Sequence, residues 1–101
     1  MLTGLAQIDN YIKQFATDIV SNQTDSSIYY IKTELMAQCY TLYLYNSERQ
    51  AIIGVSWPLI DFLKKCEDKT IEIDMNIKIK KMVNKFGESG LSTGDKINWI
   101  Y

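Results

Sequence analysis

The sequence predicts an all-α fold: an antiparallel four-helix bundle over about residues 4–86, with an irregular C-terminal tail, residues 87–101, docked on it in a single domain (1–101). Three observations carry this reading. Apolar residues in the first half recur at steps of three and four, the period of one helix face. The single proline, Pro58, stands just ahead of an apolar run; it lacks an N–H and its φ is preset near about −65°, which suits a first helical turn. Glycines at 87, 90 and 94 then punctuate the chain after its last periodic segment.

The first helix is predicted over 4–21. Leu5, Ile8, Ile12, Phe15 and Ile19 make one apolar stripe, while Asp9, Lys13 and Asp18 fall off it. Thr3 is a candidate N-cap. Ser21 to Ser26 is a polar turn with several possible caps. Ile28, Ile31, Leu35, Cys39 and Leu42 repeat the helical steps, and Glu34, Met36 and Ala37 are good helix formers. One long helix to about Asn46 is therefore expected. Residues 39–45 are also rich in tyrosine and fit a strand. In the helical reading Tyr29, Tyr30, Tyr40, Tyr43 and Tyr45 form a second, half-buried face, with rings packed and hydroxyls wet.

Asn46 to Arg49 reads as a turn, and Ala51 to Val55 is apolar and β-branched, with Gly54 weakening any helix through it. Pro58 then opens a short third helix capped by Ser56 or Trp57, which buries Leu59, Ile60, Phe62, Leu63 and Cys66 before Glu67-Asp68-Lys69 closes it. Residues 70–79 carry two periods. Ile71, Ile73, Met75, Ile77 and Ile79 alternate as a strand does, whereas Met75, Ile79, Met82, Val83 and Phe86 fit a helix. The length of the pattern favours extended chain through Ile73 and helix to Phe86, with Asp74 as its cap and Gly87 as the residue beyond its end. Leu91, Ile97, Trp99, Ile100 and Tyr101 are too apolar for a free linker and are expected to dock. The predicted core is Ile8, Ile12, Phe15, Ile19, Ile31, Leu35, Leu42, Leu59, Leu63, Ile79, Met82 and Phe86.

An apolar fraction of 47% is that of an ordinary globular protein, and a net charge of −1 creates no overall field toward nucleic acid. No run of about 20 apolar residues suggests a transmembrane span. The start, Met1-Leu2-Thr3-Gly4, has no basic and long apolar stretch of a signal peptide and no Met-Gly myristoylation signal. A cytoplasmic protein is expected. Cys39 and Cys66 sit in apolar stretches, where cysteine packs as a small hydrophobe, and free thiols are expected in a reducing compartment.

The chemical inventory is thin. There is no histidine, the commonest general base and metal ligand. Two cysteines without Cys-x-x-Cys spacing do not make a zinc or redox site. No glycine-rich phosphate loop occurs. The pairs Glu67-Asp68 and Glu72/Asp74 fit helix ends and caps. No catalytic residue, cofactor or metal is predicted, and the chain reads as a binding protein rather than an enzyme.

Two surface features invite a partner. Lys78, Lys80, Lys81 and Lys85 lie in a stretch with no acidic residue between Asp74 and Glu88, and Lys78, Lys81 and Lys85 share one helix face. That pattern fits a solvated face near a helix C-terminus, or an electropositive patch for an anionic partner, a lipid surface included. Without arginine it is a poor phosphate binder, so no nucleic-acid partner is expected. Trp99 and Tyr101 either staple the C-terminus to the core or act as interface anchors.

Four predicted helices with a docked tail resemble the immunity proteins of class IIa (pediocin-like) bacteriocins, the enterocin A immunity family. In sequence the resemblance rests on Pro58-Leu59-Ile60 opening the third helix, Ile71-Glu72-Ile73-Asp74 leading into the fourth, the glycine after Phe86, and the aromatic end Trp99-Ile100-Tyr101. The third segment is shorter than in that family, and the fourth helix carries an unusual apolar alternation. The resemblance implies a cytoplasmic protein that protects a bacteriocin producer from its own peptide. It would recognise membrane components of the mannose phosphotransferase system once bacteriocin has bound them, with peripheral contact at the inner face of the membrane. Specificity would lie in the C-terminal half, so the expected contact surface is Lys78, Lys81, Lys85, Trp99, Ile100 and Tyr101. The alternative is a small toxin-neutralising or phage-encoded inhibitor that binds a soluble protein.

Overall fold

Tyr29–Leu35, Cys39–Asn46 and Ala51–Pro58 are strands of a sheet, not helix. The structure, a computed structural model, describes residues 4–36 and 38–100. Thr3, Ala37 and Tyr101, each given a role by the sequence, lie outside them. Helix α1 (Leu5–Gln23) and a short 3-10 turn (Ser26–Ile28) lead into strands β1 (Tyr29–Leu35), β2 (Cys39–Asn46) and β3 (Ala51–Pro58). Helices α2 (Leu59–Glu67) and α3 (Ile71–Lys85) follow, and strand β4 (Ile97–Trp99) closes the described chain. The four strands make one sheet in the order β1-β2-β3-β4. The first three are antiparallel neighbours, and β4 lies parallel to β3, a pairing that the long crossover through two helices permits.

The predicted four-helix bundle is thus replaced by an α/β fold of three α-helices and a mixed sheet. The physical reason lies in β2. Tyr40, Leu42, Leu44 and Asn46 are buried beneath the helices, while Cys39, Thr41, Tyr43 and Tyr45 occupy the opposite face. A central strand with apolar or aromatic residues on both faces shows no clean alternation. Leu35, Cys39 and Leu42 therefore coincide with helical steps by accident. In β3, Ala51, Ile53, Val55 and Trp57 are all buried at every second position, a true strand period.

The boundaries of the later elements also differ. Ser56 and Trp57 belong to β3 instead of capping a helix, and Pro58 ends that strand as the residue preceding α2, with φ −53°. Helix α3 starts at Ile71, so residues 71–73 are helical, and Thr70 takes the capping position assigned to Asp74. The alternating isoleucines divide by angle around this helix. Ile71, Met75, Ile79 and Met82 are buried, while Ile73 and Ile77 face outward. The sequence-level turn at Asn46 is present, its Oδ1 accepting the N–H groups of Glu48 (2.9 Å) and Arg49 (3.0 Å).

The core lies between the helices and one face of the sheet. Ile12, Ile19, Leu42, Ile79, Met82 and Phe86 of the predicted set are buried, and Ile8, Phe15, Ile31 and Leu59 pack at the margin. Leu35 and Leu63 are exposed instead: the first ends an edge strand, and the second turns outward beside Phe62, which points in. Phe62 stacks on the Tyr40 ring with centroids 4.1 Å apart. Two aromatic polar groups reaching this layer are paired. The Tyr40 hydroxyl donates to Asp9 Oδ1 (2.8 Å), and Trp57 Nε1 donates to Asp74 Oδ2 (2.5 Å). Arg49, the chain's one arginine, donates to the carbonyls of Phe86 and Glu88 and so satisfies the open end of α3.

Candidate functional site

Helices cover one face of the sheet, and the other face is open. β-Strand alternation puts Tyr30, Lys32 and Glu34 of β1 on the open face, with Thr41, Tyr43 and Tyr45 of β2 and Ile52, Gly54 and Ser56 of β3. Their cross-strand partners fix the neighbours: Tyr30 pairs with Tyr45, Lys32 with Tyr43, and Tyr43 with Gly54. The Tyr30 and Tyr45 rings lie 6.2 Å apart, and Tyr43 lies 6.1 Å from the Trp99 indole. These distances are ordinary for aromatic pairs on a sheet.

Gly54 shapes the far side of this aromatic row. A Cβ there would meet Trp99 Cζ3 at 3.0 Å and Ile97 Cγ2 at 3.1 Å. The absent side chain lets the indole lie flat across β3. Trp99 is held there by the β4 pairing and by the Ile100 N–H, which donates to the Gly54 carbonyl at 3.0 Å. Asn98 Nδ2 adds bonds to the carbonyls of Ile52 (3.0 Å) and Ser92 (2.9 Å). The tail therefore docks as sequence composition predicted, but as a strand.

Charge on this face is sparse and balanced, one lysine (Lys32) and one glutamate (Glu34). Burial, with Glu34 and Cys39 nearby, pushes the Tyr43 phenol up from its ordinary value, so the ring stays neutral at physiological pH. The Thr41 and Ser56 hydroxyls share a 3.1 Å hydrogen bond. Tyr30 is 61% exposed and Trp99 40%, so the row is built and yet accessible.

The sequence-predicted contact residues do not converge. Lys78, Lys81 and Lys85 lie on α3, in the helical layer, and Lys85 pairs with Glu88 at 3.4 Å. Trp99 lies on the opposite side of the sheet. Ile100 turns inward against the core margin, and Tyr101 falls outside the described residues. Sequence reasoning missed Tyr30, Tyr43 and Tyr45 as surface, since a helical β2 gave those tyrosines a different face. The tyrosine content of residues 39–45, which fits a strand, was the available signal.

A concavity lies among the helices. Ile8, Tyr11, Leu63, Cys66, Lys69, Ile71 and Glu72 border a groove of about 780 Å³. The Tyr11 hydroxyl donates to Glu72 there, and that bond pushes the phenol up to about 12. Burial pushes the Cys66 thiol up as well, away from the reactive thiolate. Both cysteines are free thiols. Among the described residues no cluster of three or more His, Cys, Asp or Glu side chains could hold a metal ion. Among the same residues no helix is long and apolar enough to cross a membrane.

No protein-family model, curated protein or solved structure matches this chain.

Proposed function

We propose that this chain is a non-enzymatic binding protein that captures a protein partner on the open face of its sheet, as a toxin-neutralising or inhibitor protein would. The observation that carries the reading is the aromatic row Tyr30, Tyr45, Tyr43 and Trp99 on the sheet, exposed at Tyr30 and Trp99 and half-buried at the two rings between them. Tyrosine and tryptophan present large contact area with few rotors to freeze, and they dominate the energetics of protein interfaces. Stacked nucleobases would also suit such rings. A face with one lysine balanced by one glutamate supplies no electrostatic attraction for a phosphate backbone, so a protein partner is favoured.

Immunity against a pediocin-like bacteriocin, exerted on the mannose phosphotransferase components, has lost the helical architecture on which the resemblance rested. One observation still speaks for a membrane-facing role. Ile73 and Ile77 are exposed on α3, and Lys80 and Lys81 follow Ile77 within about one turn, the mixture found where helices touch an anionic lipid surface.

One experiment separates the two. The chain is co-expressed with the products of its neighbouring genes, and complex formation is compared for Tyr30→Ala, Trp99→Lys and Lys81→Gln. Loss of a complex in the first two variants, with Lys81→Gln unaffected, supports the sheet face. The reverse pattern refutes it and moves recognition to α3.

A further inference from the structure

We infer that β1 is a self-association edge, and that two copies join through it into one continuous sheet. The first observation is topological. β1 is the outermost strand, seven residues long, and among the described residues nothing pairs with its outer side. Bulges, prolines and edge charges blunt such a template; β1 has no bulge or proline, and its charges, Lys32 and Glu34, repel a second strand only in registers that set like charges opposite.

The backbone sets which groups are offered. The Ser47 N–H donates to the Ile28 carbonyl, and the Met36 N–H donates to the Cys39 carbonyl. Even-numbered residues of β1 therefore turn their backbone groups inward to β2. Ile31, Thr33 and Leu35 turn theirs outward, since alternate residues of an antiparallel strand bond to opposite sides.

Side-chain charge then selects the partner and the register. The edge carries one cation and one anion two residues apart on the same face, Lys32 and Glu34. A second copy, antiparallel about a two-fold axis through Thr33, puts Lys32 opposite the second copy's Glu34, twice by symmetry. The outward groups of Ile31, Thr33 and Leu35 then meet those of Leu35, Thr33 and Ile31. Sliding the axis by one residue puts Lys32 opposite Lys32 or Glu34 opposite Glu34, which like-charge repulsion disfavours. The same register covers exposed apolar groups on both faces. Leu35, 44% exposed, falls opposite Ile31, and Met36, 52% exposed, falls opposite Tyr30. A two-fold axis normal to the sheet keeps both helical layers on one side, so the two open aromatic faces become one surface. This association does not rest on the partner reading above.

The test is solution mass by sedimentation across a concentration series of the intact chain. A dimer of twice 11.7 kDa is expected. Lys32→Glu and Glu34→Lys should each raise the dissociation constant by about tenfold or more, since each turns two attractive pairs repulsive. The double variant Lys32→Glu/Glu34→Lys should restore it. Leu35→Pro removes one outward N–H without touching the β2 ladder and should also dissociate the dimer. Circular dichroism and thermal melts of each variant show that the protomer stays folded. A monomer at every concentration, a dimer indifferent to both single reversals and to proline, or a double reversal that fails to restore association would each overturn the assignment.

Discussion

The two faces of the sheet are built from similar residue types and behave differently. Tyr40 and Trp57 lie beneath the helices, and Tyr43 and Trp99 lie on the other side. On the covered face Asp9 takes the Tyr40 hydroxyl and Asp74 takes the Trp57 indole N–H. On the open face the rings lie in tilted pairs, Tyr30 with Tyr45 and Tyr43 with Trp99. The difference shows that cover, more than composition, sorts aromatic residues into core and surface. A ring under helices stabilises the fold through area and partners, and a ring without cover remains available to a second molecule.

The largest expected contrast is Phe62→Ala, which removes the fully buried ring stacked on Tyr40. It should cost about 3–5 kcal/mol in urea unfolding. Trp57→Phe keeps most of the volume but leaves the Asp74 carboxylate without its indole donor, for about 1–3 kcal/mol. Gly54→Ala tests the junction between the faces. Its methyl would push against Trp99 and Ile97, so about 1 kcal/mol or more should be lost and the indole fluorescence should shift. Unchanged fluorescence would mean that the indole does not lie over β3.

A subtler contrast is in acid. Burial would raise the Asp9 carboxyl, but hydrogen bonds from Thr33, Tyr40 and Lys13 outweigh it and hold the group below its ordinary value. A depressed folded value means the contribution is present above the unfolded range near pH 4 and is lost as pH falls through the folded value. Asp9→Asn should therefore flatten the acid limb of the stability curve and leave its alkaline limb in place. Tyr11 runs the other way. Its phenol is raised to about 12, so any contribution is complete below about pH 10 and disappears as pH climbs through 12. The smallest effect belongs to Tyr30→Ala, whose stability should stay within about 0.5 kcal/mol of the parent.

The parts of the fold legible in the sequence are those with one apolar face. α1 shows Ile8, Ile12, Phe15 and Ile19 at helical spacing and forms that helix, and α3 places Met75, Ile79 and Met82 on one side as a helix should. The turn at Asn46 was readable from its side-chain chemistry. β2 was legible only as a strand alternative to the favoured helix, because tyrosine, threonine and leucine fill both of its faces and erase the alternation that marks a half-buried strand. With β2 taken as helix, the tyrosines of the open face shared a half-buried helix face with Tyr29 and Tyr40, and the candidate surface shifted to the lysines of α3. Trp99 alone of that predicted set lies on the aromatic row, since an aromatic tail signals docking whatever the partner element is.

An alanine series along β2 tests the two-faced sheet most directly, read as equilibrium unfolding free energy from Tyr40 to Tyr45. Leu42→Ala and Leu44→Ala should each lose about 2–5 kcal/mol. Tyr43→Ala and Tyr45→Ala, between and beside them, should each lose about 1 kcal/mol or less, the worth of a cross-strand ring pair. Losses that rise and fall with a period of two would support the sheet and its open face. Losses repeating every three or four residues, or equally large at Tyr43 and Leu44, would contradict it.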